Sequence, residues 1–383
     1  MKFGKLVLKM YLITQKTFAG YIFSDLCLLT MASTKKYFIC SFLTLCILVF
    51  CFWACESSGS KKPDQVIGSF SVEEKGLISL GGTKQYVEIT SVSDRNPVLL
   101  FIHGGPGWPQ TPMLRYFNAV LTKSFIVATW DQRGCGLSFM NDSLAPNVTL
   151  VQIVADAHEL TQLLQNKFNK QKIFVAGFSW GSVVGLTLAI QHPQDYLAYI
   201  GISQVVNLKQ GMEVTQKWLS EKATVKNDYS TLGILKALRE GDSSICKNPL
   251  DCFMKQYELV AQYYGTVYNP ASDSAVGIAM TQYADYKTYD WSKGFYYSAR
   301  LLEKDLFSVD FSTLSSIDIP VYFLAGRHDW NVPAVLGEKL MSNIQAPTKE
   351  MIWFENSGHG PLEEEPEIFN RIMVEKLLSN DYK

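Results

Sequence analysis

Three side chains in this sequence form a set that can carry out acyl transfer: Ser179, Asp329 and His359. A serine hydroxyl is a poor nucleophile until an imidazole takes its proton. The imidazole works best when a carboxylate orients it and stabilises its cation. Ser179 is the centre of Gly177-Phe178-Ser179-Trp180-Gly181. The apolar run Lys172 to Ala176 precedes that turn, and a second apolar run, Val183 to Ile190, follows it. Strand, sharp turn, then helix is the context in which G-x-S-x-G presents a reactive serine. Glycines two positions either side allow strand and helix to approach closely, and the helix N-terminus beneath the hydroxyl favours negative charge. Asp329 closes Gly326-Arg327-His328-Asp329 after the apolar run Ile319 to Ala325, and His359 lies in Ser357-Gly358-His359-Gly360 after Glu350 to Phe354. Taken singly, Asp329 reads equally well as a cap for a helix starting at Pro333, and His359 as a loop histidine. Taken together, a nucleophile, an acid and a base each follow a strand-like run, which is the arrangement a catalytic triad requires.

Two further strand ends carry glycine-rich turns. Val98 to Ile102 is continuously apolar, as a strand buried on both faces should be, and runs into His103-Gly104-Gly105-Pro106-Gly107. Such a turn exposes backbone N–H groups, as an oxyanion site requires. Phe125 to Trp130 runs into Asp131-Gln132-Arg133-Gly134-Cys135-Gly136-Leu137-Ser138. The opposite charges there predict a tight loop held by an internal Asp131–Arg133 pair, structural first and in contact with the site second. His158 falls in the middle of a helical pattern over Leu150 to Phe168 and reads as a surface histidine.

The elements that must position these residues follow the order of an α/β domain. Val66 to Thr90 alternates apolar and polar residues and is broken at Lys75-Gly76 and Gly81-Gly82, predicting two or three antiparallel edge strands. Strands and helices then alternate to Tyr196–Ser203, and again from Ile319 to a final helix over Pro366 to Leu378. Between residues 207 and 310 strand-like runs vanish and aromatics with Lys, Glu and Gln dominate, predicting an inserted helical cap. The domain boundaries are therefore 66–206 with 311–383 for the sheet domain and 207–310 for the cap. The cap aromatics read mainly as core, although such an insertion over an active site commonly walls a substrate pocket. Cys246 and Cys252, six positions apart around a Pro turn, are either a local disulfide or two free thiols.

With 383 residues, 47% hydrophobic and 13% aromatic, the chain has ample core, and its formal charge of −1 gives no footprint for nucleic acid. No Cys/His spacing suggests a metal, and no motif calls for a cofactor. Five of the eight cysteines lie in the first 55 residues. There Lys35-Lys36, an uncharged apolar run from Tyr37 to Ala54 and small residues after it make a secretory signal. Phe52-Trp53-Ala54-Cys55 resembles a relaxed bacterial lipoprotein box with Cys55 as the lipidated residue. Residues 55–65 read as a polar tether. A signal of ordinary length would open at Met31, which predicts a start there and an extension over residues 1–30. An uncleaved anchor over 37–54 is the other reading, and both place the globular part outside the cytoplasm on a membrane.

The motifs His103-Gly-Gly-Pro-Gly107, Trp130-Asp-Gln-Arg-Gly-Cys-Gly-Leu-Ser138, Gly177-Phe-Ser-Trp-Gly-Ser182, Gly326-Arg-His-Asp329 and Ser357-Gly-His-Gly360 resemble the prolyl aminopeptidase (proline iminopeptidase) branch of the α/β-hydrolases. The chain order serine, acid, histidine is also theirs. The resemblance covers 66–206 and 311–383. It implies a mostly parallel sheet flanked by helices, and backbone N–H groups of Gly105 and Trp180 as the oxyanion hole. It also implies a small peptide substrate whose free α-amino group is held by acidic cap residues. Glu213, Glu221, Asp228, Glu258, Asp273 and Asp285 are available for that, with nothing to choose among them. Phe178 departs from the family's usual glycine at that position and reshapes the pocket. An esterase or other acyl hydrolase is the alternative in the same chemical class. A non-catalytic surface-binding lipoprotein is the alternative outside it, and has no use for a complete triad. N-terminal residue preference and oligomeric state stay open.

Overall fold

The computed structural model describes residues 70–139 and 147–378. The Met31 start, the apolar run 37–54, Cys55 and the tether to residue 65 lie outside the described residues. Among the described residues no helix is long and apolar enough to cross a membrane.

An eight-stranded sheet organises the chain, built from β1 (Val72–Leu80), β2 (Thr83–Ser91), β3 (Val98–Ile102), β4 (Ile126–Trp130), β5 (Ile173–Phe178), β6 (Tyr196–Ile202), β7 (Val321–Gly326) and β8 (Lys349–Phe354). Their order across the sheet is β1-β2-β4-β3-β5-β6-β7-β8. The first two pairings, β1 with β2 and β2 with β4, are antiparallel; every pairing from β4 to β8 is parallel. The central strands are wholly buried, which explains why β3, β4, β5 and β7 read as apolar runs rather than alternations. Successive residues of β3 feed opposite faces: Val98, Leu100 and Ile102 enter one core, and Leu99 and Phe101 the other. The first core is closed by α2 (Leu150–Phe168), α3 (Trp180–Gln191) and α10 (Ala334–Asn343). The second is closed by α1 (Thr111–Phe117), the short α11 (Pro361–Glu364) and α12 (Pro366–Leu377).

At the edge, β1 runs unbroken through Gly76, which pairs with Val87, so the expected break at Lys75-Gly76 is absent. Gly76 sits in open space and interrupts nothing. The reversal occurs only at Gly81-Gly82, where both residues take positive φ.

Between β6 and β7 lie six helices: α4 (Leu208–Val225), α5 (Tyr229–Glu240), α6 (Pro249–Gln262), α7 (Pro270–Gln282), α8 (Trp291–Leu301) and α9 (Glu303–Ser308). The ends of this insertion meet in an antiparallel bridge between Asn207 and Asp310. Asn207, Asp228, Asn248, Asn269 and Asp290 each start a helix and accept a backbone N–H from its first turn. Each such cap contributes about 1 kcal/mol to its helix. Trp218, Leu219, Leu235, Leu259 and Val260 form the insertion's own core, while Ala279, Tyr286 and Trp291 pack on Met113 and Phe117 of α1. Cys246 and Cys252 are joined in a disulfide, one just before α6 and the other inside its first turn.

Candidate active site

β5 delivers Ser179 into a backbone conformation that a side chain rarely adopts, φ 52° and ψ −118°. Neither flanking glycine needs an unusual φ; both are required by contact. A Cβ on Gly177 would lie 2.2 Å from the carbonyl oxygen of Gly181, and one on Gly181 would lie 2.2 Å from that of Ile102. The turn is locked from below. Ser179 N–H donates to the carbonyl of Ile202 at the end of β6 (2.9 Å). The Ser182 hydroxyl donates to the Ser179 carbonyl (2.5 Å) while accepting from Val205 N–H (2.9 Å).

The loops after β7 and β8 deliver the partners. His359 Nε2 lies 3.0 Å from Ser179 Oγ, and His359 Nδ1 lies 2.8 Å from Asp329 Oδ2. The second Asp329 oxygen accepts the N–H groups of Asn331 (2.9 Å) and Val332 (2.8 Å). That leaves the other carboxylate oxygen for His359, so Nδ1 carries the hydrogen and Nε2 presents its lone pair to the serine. Burial pulls the His359 pKa down, but the charge and hydrogen bond of Asp329, with Glu363 and Glu364 beyond, leave it above the ordinary histidine value.

The His103–Gly107 turn packs directly on this group. A Cβ on Gly104 would lie 3.2 Å from that of Ser179. Gly105 has φ 109° and no room for a side chain, since a Cβ would lie 2.7 Å from the nitrogens of Gly107 and Trp108. Trp180 opens α3, where an N–H has no acceptor one turn earlier, and Gly105 N–H forms no hydrogen bond among the described residues. Both therefore remain available to an anion beside Ser179.

Asp131 and Arg133 do not pair, contrary to expectation. Arg133 donates to both oxygens of Asp156 on α2 (2.6 and 2.7 Å) and to Gly81 O (3.2 Å). Asp156 also accepts from Gln85 and Gln152, so this fully buried pair ties the β1–β2 turn, α2 and the loop after β4 together with every lobe filled. Asp131 instead accepts from Leu137 N–H and from the hydroxyl of Tyr286 in the insertion. Burial, against those two hydrogen bonds, pushes its pKa up to about 7.

Between them stands Gln132, a residue the sequence did not single out. Its N–H donates to His103 Nε2 (3.0 Å), its side-chain amide donates to His103 O (3.1 Å), and its amide oxygen accepts from Trp180 Nε1 (3.0 Å). One side chain thus links the start of the His103–Gly107 turn to the first residue of α3. Burial lowers the His103 pKa to about 4, so it stays neutral and can accept from Gln132. The segment between α6 and α7 was also not foreseen as part of the site. His359 N–H donates to Thr266 O (2.7 Å), and Trp330 N–H donates to Gly265 O (2.8 Å). Glu364 closes the same seam by accepting from Gly358, Tyr268 and Asn269.

Residues 97–366 match the family model described as the alpha/beta hydrolase fold. The chain belongs to that family. Within it, the chain is 32% identical over 296 residues to a probable aminopeptidase, YbaC, of Bacillus subtilis (strain 168), covering 76% of this chain and 92% of the relative. It is 27% identical over 205 residues to the proline iminopeptidase of Neisseria gonorrhoeae, covering 53% and 58% of the two chains. The crystal structure of a proline iminopeptidase-related protein from Thermus thermophilus superposes with a TM-score of 0.54 at 22% identity, covering 80% of this chain and 98% of that one. The chain is thus a hydrolase of the proline iminopeptidase-like branch, with the mostly parallel sheet of that fold.

In this α/β-hydrolase the space beside Ser179 is a small apolar cavity of about 50 Å³. Gly105, Pro106, Ser179 and Trp180 form its floor; Leu250, Phe253 and Phe295 of the insertion are among its walls. No carboxylate lines it among the described residues, the six acidic candidates included. Asp228 caps α5, Glu258 pairs with Lys255, and Asp285 pairs with Arg115. Phe178 packs its ring 5.2 Å from that of His359 and is not among the residues lining the cavity. His158 is part-exposed on α2, away from this constellation.

Proposed function

We propose that the chain is a serine hydrolase that cleaves small peptides after an apolar N-terminal residue through an acyl-enzyme. The hydrogen-bonded line Ser179–His359–Asp329 at the mouth of an apolar cavity carries this reading. His359 Nε2 takes the hydroxyl proton as Ser179 Oγ bonds to the acyl carbon, and the developing oxyanion is received by the N–H groups of Trp180 and Gly105. Collapse of the tetrahedral species breaks the bond to the leaving amine, which takes its proton from His359. A water then gives its proton to His359 and its oxygen to the acyl carbon; the bond from that carbon to Ser179 Oγ breaks, and His359 returns the proton to the serine oxygen. Neither a metal nor a cofactor enters any of these steps. The similarity to aminopeptidases supports the peptide substrate.

An esterase acting on apolar acyl groups is the second reading, favoured by the lack of a carboxylate along the cavity. Hydrolysis of prolyl-, alanyl- and other aminoacyl-naphthylamides, set beside p-nitrophenyl esters, separates the two; ester turnover without amide turnover overturns the peptidase. Ser179→Ala is expected to cost about 10³-fold or more in kcat while leaving the melting temperature unchanged. Absence of fluorophosphonate labelling at Ser179 in the folded chain would overturn both readings and favour a binding protein.

An exported, membrane-attached form is part of the same proposal. Lys35-Lys36, the apolar run to Ala54 and Cys55 support it, and the Cys246–Cys252 disulfide suits an oxidising compartment. Incorporation of labelled palmitate that is abolished by Cys55→Ala is the expected result; release of unlabelled protein from wild-type cells contradicts it.

A further inference from the structure

At the opposite end of the strands from Ser179, three side chains from three elements converge. His158 comes from the middle of α2, His192 is the residue that ends α3, and Asp195 stands just before β6. Their ligating atoms all lie within 4.8 Å of one another. His158 Nε2 is 2.9 Å from Asp195 Oδ2, and the His192 ring lies against that of His158 with centroids 3.6 Å apart and planes 7° from parallel. Asp195 is steadied from behind by the amides of Gln165 (3.4 Å) and Gln194 (3.3 Å).

We propose that His158, His192 and Asp195 bind a divalent transition-metal ion of the zinc class. Two imidazole nitrogens and one carboxylate oxygen are the ligand types zinc prefers, and water completes a four-coordinate site because all three residues are partly exposed. The glutamine amides supply the outer hydrogen bonds that hold a ligating carboxylate in place. The C-terminal end of α3 adds its partial negative charge, which favours a cation there. Binding requires the His192 ring to tilt out of the parallel stack so that both nitrogen lone pairs meet at one point. The role is structural. α3 has 12 residues, so the ion sits roughly 18 Å from the serine turn, at the far end of the helix that begins beneath Ser179. It would pin the C-terminus of that helix to α2 and to the start of β6.

Titration of Zn²⁺ into the full chain, in competition with a chromophoric chelator, tests this. The expected result is one equivalent bound more tightly than about 10 µM, with a melting temperature that rises on loading and falls back with EDTA. His192→Ala and Asp195→Asn should each weaken binding at least tenfold, whereas His359→Ala should keep the bound equivalent. His158→Gln gives a second reading at a position where a polar amide preserves the helix surface. Affinity weaker than about 10 µM in the wild type, or wild-type affinity in the His192→Ala and His158→Gln variants, overturns the proposal.

Discussion

The sheet and the helical insertion meet at the same cavity but are built on different physical terms. Around Ser179 the sheet domain is a set of backbone approaches. Gly177 against Gly181 and Gly181 against Ile102 leave no space for a methyl group, and the buried Arg133–Asp156 pair has no unfilled lobe. The insertion is a set of separately capped helices, walling the cavity with side chains such as Leu250, Phe253 and Phe295. Geometry dictated by backbone contact tolerates almost no substitution. Geometry dictated by side-chain walls can be resized. The chemistry should therefore be fragile and the selectivity adjustable.

Arg133→Ala is the harshest test of that contrast. It strands a fully buried Asp156 carboxylate and should cost about 3–5 kcal/mol in a urea titration. A loss under about 1 kcal/mol would mean the sheet domain is not held in the way described. Gly181→Ala follows, with about 1–3 kcal/mol lost to overpacking against Ile102 and a fall in kcat as the turn shifts. Phe295→Ala should leave stability and short-acyl turnover nearly intact while raising KM for bulky apolar acyl groups about tenfold, equivalent to about 1.4 kcal/mol. If it instead lowers kcat for every substrate alike, the division between chemistry and selectivity fails. The smallest effect is a shift along the pH axis. Protonated His359 cannot accept the serine proton, so kcat/KM should fall as pH drops through its raised pKa. Burial pushes the Glu363 carboxyl up to about 7, so it is partly ionised where His359 titrates; Glu363→Gln should move that limb to lower pH, and a limb that stays put would show that Glu363 carries no charge there that acts on His359.

Much of the site is legible in the chain because the informative signals are local. Ser179, Asp329 and His359 each follow a strand-like run, and in a parallel sheet the strand C-termini share one edge, so loops far apart in sequence must meet. The helix caps are equally local, an Asn or Asp a few residues before an apolar pattern. What could not be read was who pairs with whom at a distance. Arg133 has an acid two positions away, and spacing alone favours Asp131; the fold instead brings α2 alongside and offers Asp156, already oriented by Gln85 and Gln152. Gln132 was unreadable for the same reason, since its two partners, His103 and Trp180, come from the loop after β3 and the start of α3. Gly76 misled in the opposite sense. A glycine within an exposed strand costs stability without ending the strand when its neighbours keep pairing.

The hydrogen bonds from His359 and Trp330 to Thr266 and Gly265 have a mechanical consequence. They make the insertion an interlock. Swinging that segment away to admit a substrate would drag the histidine loop and the loop bearing Asp329 out of line. In the serine-hydrolase reading proposed above, such a displacement would separate His359 from Ser179 and couple entry at that seam to loss of the base.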